Sequence, residues 1–201
     1  MSLRLVTPSD IAIVSRDEAK AHLRIFHDDD DAYIDGLVAA ASDWLAGENN
    51  WLGRGVIQQQ WELTLDCFPC GRGRINLPKP PLSSIEGVFY TPSVGAETEI
   101  TSFRELDVGV SDGGYVLPAV NTVWPGTNGE PGSVRIAFTA GYETVPSSVK
   151  HAALLMIGHW FENREAITTD QKGLATLPLA VDALLFPYRS WVVQPHARTH
   201  P

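Results

Sequence analysis

No run of apolar residues in this chain approaches the roughly 18 that a membrane-spanning helix requires, so no helical membrane span is expected. Cysteine is scarce: Cys67 and Cys70 are the only two in 201 residues, too few for a disulfide framework. Basic residues are also short, with 15 Lys and Arg against 24 Asp and Glu for a formal charge of -9. That balance argues against a protein whose main task is to coat nucleic acid, because such affinity comes largely from neutralising phosphates. The opening stretch MSLRLVTPSD has no apolar run leading to a small-residue cleavage site, so no secretory signal is expected. These absences describe a soluble intracellular protein, long enough for one large domain or two small ones.

What is present is unevenly spread. Residues 1–66 hold 12 acids and 5 bases, whereas residues 146–201 hold 4 and 5. Between them, residues 67–145 contain 11 of the 17 glycines and 8 of the 14 prolines, the composition of a turn-rich segment. Ser15 followed by Glu18 is the reciprocal capping arrangement that opens a helix, with Ala19, Leu23 and Phe26 at helical spacing behind it. A second helix is expected from the acidic run Asp28–Asp31, its apolar face carried by Ile34, Leu37, Val38, Ala41, Trp44 and Leu45 and its end at Gly47. From Val56 the period changes to two: Trp61, Leu63 and Leu65 alternate with polar residues, and short strands are expected at 74–77, 85–91, 97–100 and 134–138. Helical spacing returns after Pro146, where Val149, Met156, Trp160 and Phe161 lie in an apolar arc broad enough for a central core helix or a subunit contact. A short helix, 179–185, is stopped by Pro187.

The candidate chemistry is thin. The Cys67–Cys70 pair closes a strand and runs into a glycine turn, whereas redox pairs of this spacing open a helix that lowers the thiol pKa; a turn is expected. Zinc would need two further ligands at finger spacing, and none follows. Gly109–Gly113 fits the G-x-S-x-G pattern, but a strand rather than a helix is expected after it, which makes it a hairpin connection. The acidic run fails the calcium-loop pattern because Ala32 and Tyr33 fall at the fifth and sixth positions; acids that cap a helix N-terminus explain it better. His151, His159 and Glu162 share a helix without metal-site spacing. No catalytic, metal or cofactor site is expected.

Several segments taken in order resemble one family. Residues 18–24 (EAKAHLR) and 28–41 (DDDDAYIDGLVAAA), then 80–88 (PPLSSIEGV) and 134–142 (VRIAFTAGY), then 145–155 (VPSSVKHAALL), 159–165 (HWFENRE) and 181–189 (VDALLFPYR) are similar to the head–tail connector proteins of tailed phages. These are also called adaptor or head-completion proteins, and prophages and gene-transfer agents carry them. The resemblance implies an α+β fold: a helical connector core from residues 1–55 and 146–201, ending in a C-terminal tail, with an antiparallel β module at 56–145 inserted between. It implies a non-enzymatic virion protein at the head–tail junction, assembled in the host cytoplasm. It also implies a homo-oligomeric ring, usually of twelve copies. That ring would dock on the portal protein, extend the DNA channel and offer a surface to a downstream neck, stopper or tail protein. Double-stranded DNA would pass through without specific binding, and no membrane is involved. On this reading Tyr188, Arg189, Trp191, Val192, Val193 and Arg198 are the portal-binding tail. Asp28, Asp29, Asp30, Asp31 and Asp35 provide negative surface near the lumen or a neighbouring subunit, and Val149, Met156, Trp160 and Phe161 serve as core first and subunit contact second. The alternative is a non-catalytic binding module of a phage neck or tail, recognising a protein or glycan through an exposed aromatic groove in residues 56–144.

Overall fold

The computed structural model describes residues 1–111, 113–164 and 179–190. It is an α+β protein whose described residues form two compact units: Ser9–Ile57 with Thr144–Arg189, and Met1–Pro8 with Gln58–Glu143. The boundary therefore differs from the sequence expectation at the N-terminus. Residues 1–8 belong to the β unit, because Ser2–Thr7 forms a strand that pairs antiparallel with Gln59–Leu65, placing Leu3 opposite Leu63 and Leu5 opposite Trp61.

The helical unit contains α1 (Arg16–Leu23), α2 (Asp31–Ala46), α3 (Ser147–Glu162) and α4 (Leu179–Leu185), followed by a 3-10 turn at Phe186–Tyr188 that includes Pro187. The capping box at the head of α1 is made: the Glu18 amide donates to Ser15 Oγ at 3.2 Å, and the Ser15 amide donates to Glu18 Oε2 at 2.9 Å. Helix α1 stops earlier than its apolar spacing suggests. Arg24 turns into the left-handed region at φ 58, so Phe26 leaves the helical stripe and stands 91% exposed. In α2 the expected face is buried at Ile34, Val38, Ala41 and Leu45, with Leu37 and Trp44 half-buried beside it. Gly47 ends the helix by close approach rather than by a left-handed turn: its amide donates to the Asp43 carbonyl at 2.7 Å, and a Cβ there would drive into that same oxygen. Helix α3 is the centre of the unit, packed against the other three. Val149, Ala152, Ala153, Met156 and Ile157 are fully buried, which is why its apolar arc is so wide. Lys150 Nζ donates to Glu18 Oε1 at 2.7 Å and fastens α3 to α1.

The β unit has a five-stranded sheet and a three-stranded one, both antiparallel. The larger runs in the order β1 (Ser2–Thr7), β2 (Gln59–Leu65), β8 (Val134–Ala140), β4 (Leu82–Tyr90), β5 (Thr98–Glu99). The smaller runs β3 (Ile75–Asn76), β7 (Tyr115–Pro118), β6 (Phe103–Leu106). Strand β8 sits in the middle of the larger sheet, and its alternate residues Val134, Ile136, Phe138 and Ala140 are fully buried. The register sets Trp61 beside Phe138 and Leu63 beside Ile136, so the core is built from facing apolar pairs. Gly114 (φ 139) precedes β7 where a Cβ would collide with Leu82 Cβ, so only glycine fits both the backbone and the space.

Candidate functional site

The motifs with a chemical reading resolve into structure. Cys67 and Cys70 are free and exposed on the turn after β2, and the residue that matters there is Phe68. Its ring is buried and stacks on Trp124 at 4.7 Å between centroids and 2° between planes, while Trp124 Nε1 donates to the Gly73 carbonyl at 2.7 Å. The cysteines flank a hydrophobic anchor. The G-x-S-x-G stretch lies between β6 and β7, which pair antiparallel, so it is a hairpin connection and not a strand-to-helix turn. Among the described residues no group of three or more His, Cys, Asp or Glu is placed to hold a metal ion.

The acidic residues before α2 are the most organised charges in the helical unit. They do not cap the helix as expected: Asp30 occupies the cap position without a side-chain bond to the backbone. They pair instead with cations from α1 and from the end of α3. Lys20 Nζ donates to Asp28 Oδ1 at 2.7 Å and to Asp31 Oδ1 at 2.6 Å. Arg16 grips Asp35 through both Nε and Nη2, the Nε contact at 2.6 Å, and reaches Asp31 at 3.4 Å. Arg164 Nη2 meets Asp30 at 3.3 Å, and its guanidinium lies over the rings of Tyr33 at 4.5 Å and Phe161 at 4.9 Å. The consequences follow from charge–charge attraction. The hydrogen bond from Lys20 holds the Asp28 carboxyl below the ordinary carboxylate range, Arg16 does the same for Asp35, and Lys150 does so for Glu18. Asp29 is left the most open, 95% exposed, with His27 Nδ1 at 3.6 Å.

An aromatic feature at the other end of α2 has no counterpart in the sequence expectation. Trp44 and Trp51 stack at 5.4 Å with 15° between planes, and with Asp43, Gly47, Glu48 and Asn49 they line a pocket of about 480 Å³. The Arg189 guanidinium lies over Trp51 at 4.7 Å. Of the residues assigned to the portal-binding tail, Arg189 thus engages a tryptophan of its own unit, and Tyr188 packs against the helical core. Trp191, Val192, Val193 and Arg198 lie outside the described residues. Val149 and Met156 are fully buried in that core, whereas Trp160 and Phe161 are half-buried at its edge. Every aromatic of residues 56–144 is buried or half-buried, and none stands fully exposed.

The helical unit thus carries ion-pair clusters, an open aromatic pocket and exposed apolar side chains. The chain belongs to the head completion protein family, whose family model matches residues 12–190. Its fold recurs in solved gene transfer agent (GTA) particles. A chain from the neck of an empty GTA particle computed with C6 symmetry is 21% identical, with a TM-score of 0.72 over 98% of this chain and 99% of that one. A chain from the virion of a native gene transfer agent particle is 22% identical with a TM-score of 0.68, again over 98% and 99%. A chain from the neck of a native GTA particle computed with C12 symmetry is 22% identical with a TM-score of 0.61 and the same coverage. No curated protein matches the chain.

Proposed function

We propose that this protein is a structural component of a head–tail junction, in which twelve copies form a ring docked on the portal, extend the DNA channel and present a surface to the next neck, stopper or tail protein. The observation that carries the reading is the family match over residues 12–190, joined by a shared fold with chains of GTA necks and virions over nearly the whole length. The cyclic symmetries of those necks favour a ring, and C12 favours twelve copies. The net charge of -9 supports a channel that lets DNA slide, because a wall that neutralised phosphates would hold it. Asp28 and Asp29, 90% and 95% exposed, are the part of the acidic candidate that faces solvent most openly and are assigned to the lumen or a neighbouring copy. Assembly needs no catalytic group, and the portal contact is assigned to the tail that begins at Tyr188.

The test is disruption of this gene in its phage, prophage or gene-transfer agent, followed by electron microscopy of the lysate. Free tails beside tailless or DNA-leaking heads are expected. Intact tailed particles would remove the junction reading.

A further inference from the structure

Phe26 and the Trp44–Trp51 pocket are unusual in opposite senses. A phenylalanine 91% exposed on a short connection has lost nearly all the burial that makes aromatic side chains favourable in a fold. The pocket, by contrast, is a recess open to solvent in which the stacked Trp44–Trp51 pair is set among the polar side chains of Asp43, Glu48 and Asn49, with Trp51 itself 36% exposed. The two lie at opposite ends of α2, whose 16 residues span about 24 Å. Phe26 therefore cannot fill the pocket of its own chain, but it can fill that of another. A contact of this kind, one surface against a different one, is heterologous, and rotation about an axis closes it into a ring.

The charges around each partner match. Arg24 is exposed two residues before Phe26, and Asp29, the most open acid of the run, follows it. On the pocket side Asp43 and Glu48 stand on the rim, and Arg189 lies over Trp51. The order along the loop is positive, aromatic, negative, and the pocket offers negative, aromatic and positive groups to receive it. We propose that the α1–α2 loop of one copy inserts Phe26 into the Trp44–Trp51 pocket of the next copy, with Arg24 set against Asp43. This rests on the ring reading above and names its subunit contact. The early stop of α1 then has a purpose: the left-handed Arg24 frees Phe26 from the helix and aims it outward as an anchor.

The experiment uses the full-length chain with Cys67→Ser and Cys70→Ser, so that introduced thiols are the only ones. His27→Cys, exposed beside the intact Phe26, is combined with Asn49→Cys on the pocket rim, and particles assembled with this variant are oxidised. A ladder of linked copies is expected from the double variant and none from either single one. A second arm reads incorporation into particles. Phe26→Asp, on an exposed side chain that leaves the fold intact by circular dichroism, is expected to reduce incorporation about tenfold or more. Arg24→Glu and Asp43→Lys are each expected to impair it, and the two together to restore it. If the unmodified protein is present at the neck but the double-cysteine variant yields only single chains, or links to the portal chain instead, this contact is overturned and the junction reading stands. Normal incorporation of Phe26→Asp overturns it equally. If the unmodified protein is absent from particles, both readings fall together.

Discussion

Gly47 and Phe68 show how much single side chains decide here. The amide of Gly47 reaches back to Asp43, and the space where a Cβ would sit is occupied by that carbonyl oxygen. Gly47→Ala should therefore lower stability by about 1–3 kcal/mol, the usual cost of forcing a group into filled space, read as a lower melting temperature with an unchanged far-UV spectrum. The position was legible in the sequence as a helix stop, but its reason was not, because the φ of -61 is one that any residue adopts. At Cys67 and Cys70 the opposite holds. Both thiols are exposed beside the buried Phe68, so Cys67→Ser with Cys70→Ser should change stability by less than about 0.5 kcal/mol and leave particle assembly normal. A loss of particles from that variant would reopen a thiol function.

Among elements, the α1–α2 pair is the one whose electrostatics are most tightly built. Asp28, Asp35 and Glu18 all titrate below the ordinary carboxylate range because Lys20, Arg16 and Lys150 favour their charged forms. A depressed carboxyl pKa in the folded state adds stability that is complete above the unfolded value and is lost as pH falls through the folded one. The melting temperature should accordingly hold from neutrality down to the carboxylate range and fall below it. Lys20→Met should flatten that acid dependence, since Asp28 loses the cation that favours its charged form. Identical acid profiles for the two proteins would show that the pairs are too solvent-screened to matter. The sequence showed the acids and the bases, but which acid meets which base depends on the crossing of helices far apart in the chain, as with Arg164 and Asp30.

For the whole molecule, the tail assignment leads to a separable prediction. Among the described residues neither buried core includes one beyond Tyr188, so deleting residues 190–201 is expected to leave the described cores as they stand. The truncated protein should keep its far-UV spectrum and cooperative melting but lose binding to the portal in a pull-down. Binding that survives the deletion would place the portal contact on another surface. The edge of the β unit was the least legible part of the architecture. Ser2–Thr7 alternates Leu3 and Leu5 with polar residues as a strand does, but its partner β2 lies more than 50 residues along the chain, so its place at the edge of this sheet was not visible locally.

What the sequence determined alone was whatever depends on near neighbours: the Ser15–Glu18 cap, the apolar faces of α2 and α3, the alternation in β2 and β8, the helix at 179–185 and its halt at Pro187. Each of these follows from a period or a spacing of a few residues, which local backbone geometry converts directly into structure. The tertiary structure decided what depends on residues distant in sequence. It pairs the acidic run with cations instead of using it as a cap, and it brings Trp44, Trp51 and Arg189 together into one pocket. It also turns Phe26 out of its helical stripe, because a single left-handed residue ends α1 one turn before the apolar spacing does.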